Sequence, residues 1–251
     1  MEINPYLNSI IDTYKQGNKM GLMAKGHEIW LEKHGIEGNK IDLAIVYGHN
    51  MRQDGVRDVT RLMPFVYSPD GSRFASLLIR GDDKHLLRFT ADQNGYYTAI
   101  ADYGSIIISQ TKGEYELGPR SMFKDVIYAG AFHQMARIIV PVGSTGKFKG
   151  WLVHGILEIV PKVAYCQLGQ NIELQVFYKG KPLAWEDVKA ISKIEGKEMA
   201  SVKTDEQGIA RIPILTEGEC MFLVRHPDPT KNVNEAFDES IFVTTLVMEA
   251  K

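Results

Sequence analysis

The sequence predicts a mostly β protein: two β-sandwich domains preceded by a short N-terminal helical arm. Three observations carry this. From His27 onward the chain breaks into short runs rich in β-branched and aromatic residues, punctuated by Gly, Pro, Asp and Asn. Strand spacing in the second half is roughly ten residues, the rhythm of a sandwich. Turn signals at Ser68-Pro69-Asp70-Gly71 and Asn94-Gly95 separate such runs.

The 251 residues suffice for one large or two small domains with a proper core. In residues 5–16, Tyr6, Ile10 and Tyr14 recur at i, i+4 and i+8 with Ile11 beside them, which predicts a short helix. Residues 1–24 are accordingly read as an arm preceding the main fold. The first domain is expected over 25–154. Its strands are HEIWLE, IDLAIVYG, MPFVYS, FASLLIR, LLRFTA, YYTAIA, SIIISQT and ARIIVPV. Ser68-Pro69-Asp70-Gly71 is a turn, with Pro69 presetting φ and Gly71 accepting a positive one. Asn94-Gly95 reads as a hairpin turn. Residues 119–136 (PRSMFKDVIYAGAFHQMA) read as helical or irregular.

The second domain is expected over 155–251, with strands LEIVPKV, NIELQVFY, VKAISKI, MASVKT, IARIPIL, ECMFLVRH and IFVTTLVME. In TDEQGIARIPI, Asp205 and Gly208 make the turn. Ile209, Arg211 and Pro213 then alternate with Ala210, Ile212 and Ile214. A Gly-x-Pro-Leu segment followed by a Thr-Asp-x-x-Gly hairpin is similar to small transthyretin-like or immunoglobulin-like sandwiches.

The net charge of −2 gives no basic surplus for nucleic acid and no polybasic run for an acidic membrane. The longest apolar stretches are strand-sized, so no membrane span of its own is expected. The first 24 residues carry Glu2, Asp12, Lys15 and Lys19 and no unbroken apolar core of a signal peptide, which on its face places the chain in the cytoplasm. Cys166 and Cys220 are the only cysteines and form no Cys-x-x-Cys pair; they read as small buried residues, with a disulfide between them left open.

Signatures of common enzyme classes are missing: there is no Gly-x-Ser-x-Gly elbow, phosphate-binding glycine loop or His-Glu-x-x-His. The chain therefore reads as a non-enzyme with no catalytic residue. The histidines carry more. Period two puts His27, Ile29 and Leu31 on one face of the first strand, and Leu43, Ile45, Tyr47 and His49 on one face of the second. An antiparallel hairpin centred on Gly38 sets Ile29 against Tyr47, Leu31 against Ile45 and His27 against His49. Facing Cβ atoms are then about 4.5–5.5 Å apart, close enough for two imidazoles to share a metal ion. Neutral imidazole suits nickel, cobalt, copper and zinc alike. Such a site would lose its metal as pH falls through about 6.5, the ordinary imidazole value. His133 and His226 are candidates for further ligands, as are Glu235, Asp238 and Glu239. Met20, Met23 and Met51 flank the first two histidines as potential soft ligands. The competing expectation is a non-metal module whose loops or sheet edge bind a protein or a carbohydrate.

The segment Gly26-His27-Glu28-Ile29-Trp30-Leu31-Glu32 resembles the mature start, Ala-His-x-x-Trp-Leu, of a bacterial and archaeal family associated with nickel and cobalt uptake. Gly48-His49 resembles the Gly-His closing that family's next strand. Gly95-Tyr96-Tyr97, the Lys181 to Ile214 segment and the ending DESIFVTTLVME follow its order. The resemblance spans about residues 25–250. It implies an extracytoplasmic (in many bacteria periplasmic) accessory or substrate-capture component of an energy-coupling-type metal transporter. Transporter subunits would be its partners, a nickel or cobalt ion its cargo, and His27 and His49 its ligands. The chain departs from the family in lacking an evident signal peptide.

Overall fold

The computed structural model describes residues 27–56, 58–112 and 115–251. The helix expected over residues 5–16, the 1–24 arm, Met20 and Met23 lie outside the described residues.

The described chain is nearly all β, with one short 3-10 turn at Arg120–Met122. In chain order the strands are β1 Glu28–Glu37, β2 Lys40–His49, β3 Arg52–Gln53, β4 Met63–Tyr67, β5 Arg73–Ala75, β6 Leu77–Ile79, β7 His85–Thr90, β8 Gly95–Gln110 and β9 Tyr115–Leu117. They continue as β10 Tyr128–Val142, β11 Leu157–Pro161, β12 Asn171–Tyr178, β13 Lys181–Pro182, β14 Asp187–Ser192, β15 Lys197–Lys203, β16 Ile209–Pro213, β17 Gly218–Asp228 and β18 Glu239–Ala250. No described helix is long and apolar enough to cross a membrane.

Three sheets result. The first runs β1-β2-β7-β6 with β3 on β2, the second β15-β14-β17-β18-β10-β8-β4-β5 with β9 on β8, and the third β11-β12-β13 with β16 on β12. Contacts concentrate in two units. One is built mainly from Ser105–His133 and Arg225–Phe242; the other comprises Glu28–Gly104, Gln134–Val224 and Val243–Lys251.

Burial explains the strand texts. In β12, Ile172, Leu174 and Val176 are buried while their neighbours are not, the alternation of a strand with one face on the core. β16 repeats it with Ala210 and Ile212. In β10 every position from Tyr128 to Val140 is buried, so alternation disappears. This is why residues 119–136 mislead: a strand covered on both faces reads as an unbroken apolar run and cannot be told from other structure by period. The stretch holds the 3-10 turn and then the start of β10.

The turn at Ser68–Gly71 forms as expected, closed by Gly71 N–H donating to Ser68 O at 2.9 Å, with φ of 88° at Gly71. Asn94-Gly95 does not make a hairpin. It joins β7 of the first sheet to β8 of the second. Glycine is needed there because a Cβ would lie 2.7 Å from Pro69 Cβ, against the Ser68–Gly71 turn. A signal that usually marks a hairpin here marks a close approach between two loops.

Candidate metal centre

The β1–β2 hairpin adopts the predicted register: Ile29 pairs with Tyr47, Leu31 with Ile45, and Glu28 with Gly48. One step beyond the last pair, His27 and His49 are brought opposite each other. Ile29, Leu31 and Ile45 are all buried, and so are Trp30, Ala44 and Val46 on the other face, so a one-residue slip would exchange two differently packed faces. A bulge between Lys33 and Gly35 shifts the far end, so the hairpin closes on Gly38-Asn39 with Glu37 opposite Lys40.

At the histidine end the chain doubles back at once. Asn50 and Met51 both take positive φ, 50° and 58°, the backbone of a type I′ hairpin turn. β3 then returns along β2, with His49 opposite Arg52 and Gly48 opposite Gln53. Asp54 N–H donates to Tyr47 O at 2.9 Å. Gly48 permits this return: a Cβ there would sit 2.0 Å from Arg52 O and 2.8 Å from Asp54 N. The Gly-His dipeptide thus has a mechanical meaning, glycine to let β3 in and histidine beside it as a donor.

The turn delivers Asp54 to the two histidines. One donor atom from each of His27, His49 and Asp54 lies within 4.8 Å of the others. The histidines are half-buried and Asp54 is exposed. Adjoining them, the buried carboxylate of Glu28 places Oε2 3.2 Å from His49 Nδ1. First-row metals sit about 2.0–2.2 Å from nitrogen or oxygen ligands. Donors on one ion are then roughly 3–4 Å apart, so modest side-chain torsions would close the group on a cation.

Of the sequence candidates, His27 and His49 are brought together. Among the described residues, the group includes neither His133 nor His226. His133 is buried in β10 with its ring 5.9 Å from that of Phe242, and His226 is half-buried in β17. Asp238 pairs with Arg120 and accepts from Ala129 N–H at 2.9 Å, while Glu239 accepts from the Tyr128 hydroxyl. Glu235 contributes its carbonyl to Ser121 N–H. Met51 is buried in the I′ turn. Cys166 and Cys220 are both free and buried. Burial pushes both thiols up, Cys220 to about 12, so neither offers a thiolate near neutral pH.

Asp54 is the residue that sequence reasoning missed. The signal was present in Gly48-His49-Asn50: Asn tolerates the left-handed conformation, so a strand end followed by Asn is a turn start. The residue after it is Met rather than the usual Gly, which hid the hairpin.

No curated protein matches the chain. Among solved structures, it is similar to the BSP domain of a biofilm associated protein (9% identity, TM-score 0.24) over 90% of this chain and 30% of that one. It is also similar to the D0-D1 domain of intimin (11% identity, TM-score 0.22) over 88% and 97%. A third is the MG0-NIE-MG1 span of alpha-2-macroglobulin from Escherichia coli (9% identity, TM-score 0.23) over 90% and 97%. A family model matches residues 24–228, and on that match the chain belongs to the family described as Domain of unknown function (DUF4198).

Proposed function

We propose that this protein binds a divalent first-row transition metal through His27, His49 and Asp54 and serves as the capture component of a metal uptake system. The observation that supports this is the convergence of three donor atoms within 4.8 Å, two of them on histidines that the hairpin register sets opposite each other. Two imidazoles and a carboxylate, with no thiolate, are borderline donors. They suit nickel, cobalt, zinc and copper(II) better than copper(I), magnesium or calcium. Nickel or cobalt is the cargo on the strength of the sequence resemblance. Three protein ligands leave positions for water or for the donors of a receiving transporter subunit, which fits an ion that is picked up and passed on. In this reading the surrounding strands form immunoglobulin-like sandwiches that act as scaffold, and the protein works outside the cytoplasm.

The test is calorimetric titration with Ni²⁺, Co²⁺ and Zn²⁺ of the wild type and of His27→Ala, His49→Ala and Asp54→Ala. Wild-type affinity is expected at about micromolar or tighter, near −8 kcal/mol, and at least about tenfold weaker in each variant, since removing one of three ligands costs more than 1.4 kcal/mol. Equal binding by all four proteins would sink the site.

A second reading has one observation in its favour. A cleft of about 440 Å³ is lined by Tyr96, Lys147, Phe148, Lys162 and Tyr165, within the range of small-ligand sites. A carbohydrate-binding module would use that cleft, and its binding would survive the three substitutions above.

A further inference from the structure

We infer that Glu28 is a positioning residue for this centre: it orients His49 so that Nε2 faces the ion, and it sets a buried negative charge behind the imidazole. The inference rests on the metal reading and adds a residue that does not itself touch the metal.

Glu28 is only 4% exposed. A carboxylate is costly to bury unless it is hydrogen-bonded or paired, and here it opens a strand whose next three residues, Ile29, Trp30 and Leu31, are all buried and apolar. Its Oε2 lies 3.2 Å from His49 Nδ1. Its partner in the register is Gly48, which has no side chain to hinder the reach to His49. The arrangement is not a general property of the strand's acids. Glu32, four residues on, accepts from Trp30 Nε1 at 2.7 Å and pairs with Lys193 Nζ at 2.9 Å. A cation neutralises that carboxylate, whereas Glu28 is set against an imidazole.

An imidazole whose Nδ1–H is turned onto a carboxylate is fixed in the tautomer whose Nε2 lone pair can bind a metal. A +2 ion held by Asp54, with Glu28 one ring behind, would see two negative charges. The cluster is then neutral when loaded. This assigns the glutamate of the His-Glu dipeptide a part in the site that strand periodicity conceals, since Glu28 belongs to the opposite face from His27.

The test compares Glu28→Gln with Glu32→Gln, titrating each with Ni²⁺ and Co²⁺ and recording the visible absorption of bound Co²⁺. Glu28→Gln is expected to weaken binding about 10- to 100-fold and to shift the Co²⁺ bands, while Glu32→Gln leaves affinity and bands unchanged. A wild type that binds neither ion overturns the metal reading and this inference with it. A wild type that binds, with a Glu28→Gln protein that binds equally well, overturns this inference and leaves the metal reading standing. Equal weakening by Glu32→Gln also overturns it, because loss of any β1 carboxylate would then suffice. If Glu28→Gln does not fold, Glu28→Asp decides. It keeps the charge but withdraws it by one methylene from Nδ1, so at least about tenfold weakening is expected and unchanged affinity overturns the proposal.

Discussion

Two clusters of polar side chains among the described residues differ in where their heteroatoms point. Arg137 and Glu158 are almost fully buried. Arg137 donates to Ile159 O at 3.3 Å and to Trp151 O at 3.2 Å, and Glu158 accepts from Val153 N–H at 2.7 Å. Burial pushes the Arg137 guanidinium down to about 10, against the pull of Glu158. Burial likewise pushes Glu158 up, against the backbone N–H of Val153 and the charge of Arg137. Strongly perturbed groups of this kind often mark functional sites. Here the charges are turned onto main-chain atoms of residues 151–159, whose Trp151 and Val153 pack with Ile100 and Met135. They fasten the irregular residues 151–156 and the start of β11. At the end of the β1–β2 hairpin, donor atoms from three residues converge on one another. Convergence, more than burial or perturbation, separates a candidate site from a structural pair.

The largest effect should come from removing the buried guanidinium. Arg137→Met leaves the Ile159 and Trp151 carbonyls without their donor and buries Glu158 without the nearby positive charge, and it is expected to cost about 3–5 kcal/mol in urea unfolding. Adding Glu158→Gln should recover more than half of that, because an uncompensated charge costs more than a neutral amide. Metal affinity should be unchanged in both proteins. A single-variant cost below about 1 kcal/mol would place the pair with ordinary surface ion pairs, and loss of metal binding would join the two clusters that the comparison keeps apart.

Gly48→Ala attacks the other side. A Cβ at 2.0 Å from Arg52 O cannot be accommodated without moving β3, so about 1–3 kcal/mol should be lost, the usual cost of overpacking. Asp54 moves with β3, and Ni²⁺ affinity should fall at least about tenfold, a loss of 1.4 kcal/mol or more. Lost stability with retained affinity would show that Asp54 is not a ligand and that the two histidines act without it.

Sequence reading reached the hairpin and stopped one turn short of the site. His27 and His49 were legible because the strand period is two and a hairpin centred on Gly38 sets Ile29 against Tyr47 and Leu31 against Ile45. Asp54 was not, because its place depends on a two-residue turn through Asn50 and Met51 whose second residue carries none of the usual glycine signal. Glu28 was hidden for a different reason. It lies on the opposite face from His27 by period, and it reaches His49 only because the strand ends there. β10 shows the same limit for the fold: burial on both faces erases the alternation that made β12 and β16 readable. The Arg137–Glu158 pair was invisible for want of any local pattern, since its partners are backbone atoms up to 22 residues away.

A third pair sharpens the contrast through pH. Asp42, at the far end of β2, receives both Nε–H and Nη2–H of Arg88 on β7 at 2.6 Å, and the arginine is half-exposed. Hydrogen bonds from Arg88 hold the Asp42 carboxyl below its ordinary value, with burial opposing. A carboxyl depressed in the folded state gives stability that is present above the unfolded value, about 3.9, and is lost as pH falls through the folded one. The stability gap between wild type and Arg88→Met should therefore be small and should close below about pH 4. The Arg137→Met gap should close on the other side. Glu158, already held up by burial and pushed further up without its arginine, takes up its proton before Asp42 does, which relieves the buried charge as the solution is acidified. Unfolding free energies of the three proteins from pH 7 to pH 2 check both. Gaps that close in the same range would mean that Glu158 is solvated like Asp42, and the division between closed and open clusters would fail at its buried end.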